Sequence, residues 1–130
     1  MSPLSKRVSK RAPLTAAFAA VLVTFLGLPA GSAQTPAGGK EIFETRCGGC
    51  HALDRDKEGP RLRGVHGRAA GSVESFEYSA ALKKSNIRWN DETLDRWLAD
   101  PEKLAPGNDM AFHVDKPEER RAIIEYLKQM

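Results

Sequence analysis

The chain has 130 residues and a formal net charge of +3, with 20 Lys and Arg against 17 Asp and Glu. The excess comes from four basic residues near the start, where no acidic residue occurs: Lys6, Arg7, Lys10 and Arg11. Without these four charges the net charge falls from +3 to −1. Residues 34–130 contain no basic stripe with interleaved aromatic residues, so we expect no nucleic-acid partner.

An apolar run at residues 14–28 follows the basic start, and Pro29 and the small residues 31–33 close the segment. This order is typical of a secretory signal peptide, and the run is too short to span a bilayer comfortably. We predict a signal peptide at residues 1–33 and an exported, periplasmic domain at residues 34–130, which has 97 residues. An uncleaved leader that tethers the protein to the membrane is one alternative. A mitochondrial presequence is another, because the segment lacks acidic residues.

Residues 34–39 are predicted to be a flexible lead-in, because Pro36 and the Gly38-Gly39 pair disfavour regular structure. A first helix of about ten residues follows. Gly39, Phe43 and Cys47 recur every four residues, which places them on one face of that helix.

The stretch Cys47-Gly48-Gly49-Cys50-His51 has the spacing of a c-type haem attachment site. Two cysteines three positions apart can each form a thioether to one vinyl group of a porphyrin, and the next residue, His51, is then held beneath the iron. A zinc site would need more soft ligands than the two cysteines of this chain, and a redox-active dithiol would need a β-α-β setting. The motif therefore predicts one covalently attached haem.

A polar, loop-like segment follows the motif at residues 54–58, and Gly59-Pro60 and the spaced glycines Gly64, Gly67 and Gly71 come next. These glycines neither follow a predicted strand nor open a helix, so a dinucleotide-binding loop is not expected. We predict a compact loop of tight turns wrapped over a flat group. Its inward-facing side chains would be Leu62 and Val65.

A short helical piece is predicted at residues 75–84, and a clearer helix at residues 91–100 with Asn90 or Asp91 as its N-cap. Pro101 should stop that helix. Its apolar face consists of Leu94, Trp97 and Leu98.

The last helix is predicted to begin near Asp115, because Asp115 and Glu118 have the spacing of a capping box, and to run toward Lys128. Its apolar residues are Ile123, Ile124, Tyr126 and Leu127. No strand-like alternation and no internal repeat is present in the sequence, so the predicted class is all-α with long loops.

Ordered landmarks from residue 39 to residue 127 give the chain a specific resemblance. They are Gly39-Lys40-x-x-Phe43, Cys47-x-x-Cys50-His51, Gly59-Pro60-x-Leu62, Gly67-Arg68-x-x-Gly71, Phe76-x-Tyr78, Ile87-x-Trp89, Pro106-Gly107-x-x-Met110 and Tyr126-Leu127. The chain resembles class I cytochromes c, close to the mitochondrial and bacterial c2-type carriers. The resemblance implies three main helices, short helical pieces and long loops around one covalently attached haem c.

The resemblance also implies roles for individual residues. Cys47 and Cys50 would attach the haem, and His51 and Met110 would be the axial iron ligands. The Pro60 carbonyl would accept the second ring N–H of His51. The haem propionates would be held by Arg68, Tyr78 and Trp89.

Four positions depart from the family pattern. Trp97 stands where a Tyr is common, so a hydroxyl contact to the methionine sulfur is expected to be either lost or replaced by an indole N–H. Asn108 replaces a common Thr and Leu82 a common Asn, which predicts a thinner polar network on the methionine side. Asp109 replaces a common Lys, so the docking surface is expected to differ from that of a strongly basic carrier.

The implied function is a soluble, monomeric one-electron carrier between respiratory or photosynthetic membrane complexes, with no substrate chemistry or small-molecule substrate. Its partners would be a cytochrome bc1-type donor and an oxidase or reaction-centre acceptor. The alternatives are a haem subunit of a larger oxidoreductase, and a haem enzyme or gas sensor with a labile distal ligand. His66 and His113 are not obviously placed beside a general acid or base. Candidate docking groups are Arg46, Lys57, Arg61, Lys103, Asp109 and Phe112.

Overall fold

The computed structural model describes residues 36–130, and the predicted leader and its cleavage point lie outside this range. The helices in it are α1 (Pro36–Arg46), α2 (Ala80–Lys84), α3 (Asp91–Ala99), α4 (Pro101–Leu104) and α5 (Pro117–Lys128). Over the same range, β-type pairing is confined to one isolated bridge between Ala69 and Arg88. The predicted all-α class is confirmed. None of the helices described has both the length and the apolar content to cross a membrane.

The first and last helices pack directly on each other. A Cβ on Gly39 would clash with the backbone oxygen of Ala122 and would lie 3.0 Å from Cβ of Tyr126. One helical turn further along α1, the rings of Phe43 and Tyr126 pack with their centroids 5.4 Å apart. Gly39, Phe43 and Cys47 are all buried, which confirms that they share one inward face, formed by α1 and the turn that continues it.

Helix α3 begins where the sequence predicts. The side chain of Asn90 accepts from the Thr93 N–H at 2.9 Å, and the Thr93 hydroxyl oxygen accepts from the Asn90 N–H at 2.9 Å. This reciprocal pair satisfies two backbone donors that would otherwise lack partners. Leu94, Trp97 and Leu98 are buried, as predicted. The helix ends before Pro101, which then opens α4 with Asp100 as its side-chain cap.

Two predicted helix starts are wrong, and proline explains both. Helix α1 begins at Pro36, so residues 36–39 belong to the helix rather than to a flexible lead-in. Helix α5 begins at Pro117, and its N-cap Lys116 makes no side-chain cap hydrogen bond, so the predicted Asp115 capping box does not form. Proline suits the first helical position because its missing N–H has no helical acceptor there. Before Pro117, Lys116 is extended, as proline requires of the residue that precedes it.

The helical piece predicted at residues 75–84 is shorter than expected. Only Ala80–Lys84 is helical, with Ser79 as its side-chain cap. Ser75 instead joins a neighbouring loop, because its hydroxyl donates to Asp56 at 2.6 Å and accepts from Arg61 at 2.6 Å. Tyr78 is buried outside the helix. Contacts distant in sequence therefore override the local helical pattern.

The glycine-rich loop has the tight turns that its sequence predicts. Gly64, Gly67 and Gly71 adopt φ values of +66°, +88° and +70°, which side chains rarely permit. Val65 is buried and Leu62 packs against the core, so both face inward as expected. The loop pairs with the segment before α3, and this pairing brings residues 67–70 alongside residues 87–89.

Two neighbouring glycines of α1 provide a matched test of the α1–α5 contact. Gly39→Ala gains about 1 kcal/mol of helix propensity, but it forces a methyl group into the Ala122 carbonyl and should destabilise the fold by a net 1–2 kcal/mol or so. A Cβ on Gly38 meets nothing within 4 Å, so Gly38→Ala should be neutral or stabilising. Guanidinium unfolding of the two variants measures the difference. Equal stabilities would contradict the proposed close contact.

Candidate haem-binding site

The two cysteines and His51 lie on one further turn beyond α1. Cys47 N–H donates to the Phe43 carbonyl at 2.8 Å, and His51 N–H donates to the Cys47 carbonyl at 2.8 Å. Cys47 is buried whereas Cys50 is exposed. Burial raises the pKa of the Cys47 thiol to about 11, so the free thiol stays protonated at neutral pH.

Lys57 stabilises this turn from across the loop. Its Nζ donates to the carbonyls of Gly48 and Gly49, both at 2.6 Å. Sequence reasoning treated Lys57 as a docking charge and missed this role. A lysine in a polar run carries no local signal that its partner is a backbone carbonyl eight or nine residues away.

The imidazole of His51 is oriented for metal binding. Its Nδ1 lies 2.8 Å from the carbonyl oxygen of Pro60, which can only accept, so Nδ1 carries the proton and Nε2 has a free lone pair. Burial lowers the pKa of His51, although the Pro60 hydrogen bond opposes this shift. Neutral imidazole is the form that binds a metal. The hydrogen bond expected of Pro60 is therefore present.

Gly59 explains how the chain approaches this ring so closely. A Cβ at this position would overlap the ring, coming within 2.7 Å of both Nδ1 and Nε2 of His51. Any side chain would displace either the imidazole or the Pro60 segment. The Gly59-Pro60 pair is thus required as a unit, with glycine providing space and proline providing the acceptor.

Arg68 and Trp89 are brought together by backbone pairing. Gly67 N–H donates to the Trp89 carbonyl at 2.7 Å, and Trp89 N–H donates to the Arg68 carbonyl at 2.9 Å. The Arg68 guanidinium donates to the carbonyls of Arg61 and Arg63 at 2.9 and 3.0 Å. Arg68 therefore stabilises the loop, and its role toward a propionate stays a prediction.

Tyr78 and Trp89 are both buried, with 8% and 7% of their surfaces exposed. Burial raises the pKa of the Tyr78 hydroxyl, which keeps it protonated and able to donate a hydrogen bond. These properties are compatible with holding a buried carboxylate. Their contact with propionates also stays a prediction.

Met110 receives a hydrogen bond from Trp97, so the hydroxyl contact is replaced rather than lost. The indole Nε1–H of Trp97 donates to Sδ of Met110 at 3.1 Å. Trp97 also packs edge-on against Trp89, with ring centroids 5.3 Å apart. Trp97 therefore connects two of the predicted site residues, Met110 and Trp89.

Asn108 makes two polar contacts near Met110, and the thinner polar network stays a prediction. Its side-chain oxygen accepts from the Met110 N–H at 2.7 Å, and its Nδ2 donates to the Ala105 carbonyl at 3.0 Å. Asn108 therefore uses both its donor and its acceptor group, as a hydroxyl also could. The apolar side chain of Leu82 is partly buried and packs against the core.

The other two histidines have acidic partners of their own. His66 Nε2 lies 2.7 Å from Asp91 Oδ1, and His113 Nε2 lies 3.3 Å from Asp115 Oδ1. Asp91 also accepts from Lys128 Nζ at 3.0 Å. The hydrogen bonds from His66 and Lys128 lower the pKa of Asp91. His66 thus ties the glycine-rich loop to α3 and α5.

The donor set fits a c-type haem. Two thiols separated by one turn, an imidazole with a free Nε2 and a hydrogen-bonded thioether sulfur are the groups that such a haem uses.

Glu102 is a further residue that sequence reasoning missed. Its partners lie five and six residues further along the chain, where no periodic pattern signals a contact.

Comparison with known proteins agrees with this geometry. The family model described as Cytochrome c matches residues 36–130. Cytochrome c of Chlamydomonas reinhardtii is 43% identical over 105 residues, covering 75% of this chain and 94% of that protein. Cytochrome c of Gibberella zeae is 45% identical over 94 residues, covering 69% and 89%. The chain belongs to the cytochrome c family.

The solved structure of cytochrome cH from Methylobacterium extorquens is similar to this cytochrome c over nearly the whole length of cytochrome cH. The TM-score is 0.70 at 39% identity, and the match covers 73% of this chain and 98% of that one. Family membership establishes haem c as the cofactor. This cytochrome c is accordingly a single-haem electron-transfer protein that acts with redox partner proteins, and it is not an enzyme.

Proposed function

We propose that Cys47 and Cys50 attach the haem, that Nε2 of His51 and Sδ of Met110 ligate its iron, and that the protein shuttles single electrons between membrane-bound complexes. The observation that carries this proposal is the pair of oriented donors. One is His51, held by the Pro60 carbonyl at 2.8 Å, and the other is Met110, held by the Trp97 indole at 3.1 Å. The bound haem supplies the one-electron redox chemistry.

The protein groups tune this chemistry through their own hydrogen bonds. The Pro60 carbonyl withdraws the Nδ1 proton of His51 slightly and so makes Nε2 a better donor. The thioether of Met110 favours ferrous iron, and the Trp97 N–H reduces the electron density on its sulfur further. The two effects on Met110 raise the reduction potential, which suits an acceptor of electrons from a quinol-oxidising complex.

Met110 is favoured over the remaining histidines as the second axial ligand. His66 is bonded to Asp91 and belongs to the loop that contains Arg68, whereas His113 is exposed and faces Asp115. Met110 packs against the core. The Pro106-Gly107 turn, with Gly107 at φ +82°, presents it in a defined position.

A paired substitution tests the ligand assignment. Met110→Ala should abolish the near-infrared sulfur-to-iron charge-transfer band of the oxidised protein and lower its reduction potential. His113→Ala should leave both nearly unchanged, since its imidazole is proposed to face solvent. Visible spectra and a redox titration measure both effects. Loss of the band in His113→Ala with retention in Met110→Ala would refute the assignment.

We propose that the redox partner contacts the exposed side chain of Phe112 rather than a ring of basic side chains. Among residues 36–130, Phe112 is the large apolar residue that is exposed, with 42% of its surface accessible to solvent. It lies two residues from Met110, so a partner seated there would approach the site. Suitable partners are a cytochrome bc1-type donor and an oxidase or reaction-centre acceptor.

Three of the four basic docking candidates already have partners within the protein. Arg46 Nη2 lies 3.0 Å from Glu119 Oε2, Lys57 binds two backbone carbonyls, and Arg61 donates to Ser75. Lys103 is exposed, but Glu102 and Asp109 lie close to it in the chain. Charge steering is therefore expected to be weak.

Electron-transfer kinetics with a bc1-type complex test the docking proposal. Phe112→Ala removes an exposed aromatic contact worth about 1–2 kcal/mol at an interface, so the second-order rate should fall roughly ten-fold. Arg46→Ala is the charged control and should change the rate little. The wild-type rate should vary only weakly with ionic strength. A steep decrease with salt would contradict apolar docking.

We further propose that the protein acts as a free monomer in the periplasm after removal of residues 1–33. The basic start, apolar block and small-residue site of the leader support export, and the thiols must remain reduced until haem is attached outside the cytoplasm. The alternatives are a leader that remains as a membrane tether and permanent residence in a larger complex.

Intact-mass analysis of the protein purified from the cells that naturally produce it tests export. The expected species begins at Gln34 or a close neighbour and carries one haem. A haem-bearing species that retains residues 1–33 would refute cleavage and support tethering. Gel filtration of the same sample distinguishes a free monomer from a stable complex.

A further inference from the structure

The segment that presents Met110 is a tight turn built on α4. Asn108 N–H donates to the Ala105 carbonyl at 3.1 Å, Pro106 occupies the second position and Gly107 has φ +82°. These are the features of a type II turn. Met110 follows two residues later, so its position depends on how firmly this turn is held.

The side chain of Glu102 holds the turn against α4. Gly107 N–H lies 3.0 and 3.1 Å from the two carboxylate oxygens, and Asn108 Nδ2 lies 3.3 Å from Oε2. The helix that carries Glu102 is itself fixed, because Pro101 is buried and Asp100 caps the Lys103 N–H at 3.0 Å. The carboxylate therefore links a fixed helix to the turn.

Asn108 extends this link to Met110 itself. While its Nδ2 donates to Glu102 and to the Ala105 carbonyl, its Oδ1 accepts from the Met110 N–H at 2.7 Å. The hydrogen bonds thus run from Glu102 through Asn108 to the Met110 backbone. They supplement the Trp97 contact, which acts on the sulfur.

We propose that Glu102 is a positioning residue that keeps the turn at residues 105–108 closed. It thereby determines how readily another ligand displaces Met110 from ferric iron. The inference rests on the proposed ligation by Met110. A thioether is a soft donor and binds ferric iron weakly, so its retention depends on the turn. Bonds to a charged carboxylate are stronger than neutral ones, and the exposure of Glu102 reduces their value.

Imidazole serves as the probe because it binds ferric iron only when the turn has opened and released the sulfur. Its apparent affinity therefore reports the population of the open turn. The ferric holoprotein is titrated with imidazole, and loss of the sulfur-to-iron charge-transfer band gives the concentration for half-displacement. Guanidinium unfolding of the same samples reports global stability separately.

Glu102→Ala should lower the half-displacement concentration about five-fold, the amount expected for losing exposed charge-assisted hydrogen bonds worth roughly 1 kcal/mol. Glu102→Gln retains an acceptor oxygen and should lie closer to wild type than the Ala variant does. Glu74→Ala makes the same change in net charge at an exposed loop position, and it should leave the titration unchanged. For Glu102→Ala, the free-energy change obtained from the imidazole titration should exceed the change in the free energy of global unfolding.

The alternative outcomes are distinguishable. A wild-type protein without the charge-transfer band would refute ligation by Met110 and this inference with it. With the band present, equal titrations of Glu102→Ala and wild type would overturn the inference alone. Equal shifts in Glu102→Ala and Glu74→Ala would overturn it too, because net charge would then account for the effect.

Discussion

The close approach of α1 and α5 at Gly39 is the constraint on which the rest of the structure depends. Because Gly39 has no side chain, the Ala122 carbonyl reaches the backbone of α1, and Phe43 then packs on Tyr126. The same face of α1 ends at Cys47, which is buried in the core. The contact between the two terminal helices thus places the attachment motif against the core, and the Arg46–Glu119 ion pair adds an exposed link beside it.

The two sides of the haem site are built in different ways. On the histidine side the contacts are local, since Lys57, Gly59 and Pro60 act on a turn that lies only a few residues before them. On the methionine side the contacts come from separate elements: Trp97 belongs to α3 and Glu102 to α4. A local arrangement follows closely from the spacing of residues. An arrangement made by separate elements requires those elements to pack first.

Four basic side chains stabilise the loop that follows the haem motif. Arg68 and Lys57 donate to backbone carbonyls, while Arg61 and Arg63 pair with Asp56 and Asp54 on the same loop. The hydrogen bond from Arg63 holds the pKa of Asp54 below its usual range. Loops with little regular structure need such donors, because their carbonyls lack helical partners. The ion pairs with Asp56 and Asp54 offset the charges of Arg61 and Arg63. The carbonyl bonds leave the charges of Lys57 and Arg68 in place but hold both side chains against the loop.

The sequence alone determined the all-α class, the haem motif, a capped start of α3 at Asn90 or Asp91, and the tight turns at Gly64, Gly67 and Gly71. Each of these depends on residues within a few positions of one another, where spacing and backbone preference decide the structure. The resemblance added the Pro60 bond and the position of Trp97 near Met110. Only the tertiary structure decided that Lys57 closes the haem motif, that Ser75 leaves its predicted helix, and that Glu102 and Asn108 hold the methionine turn. Their side chains have several possible partners in the unfolded chain, and packing of the helices selects one.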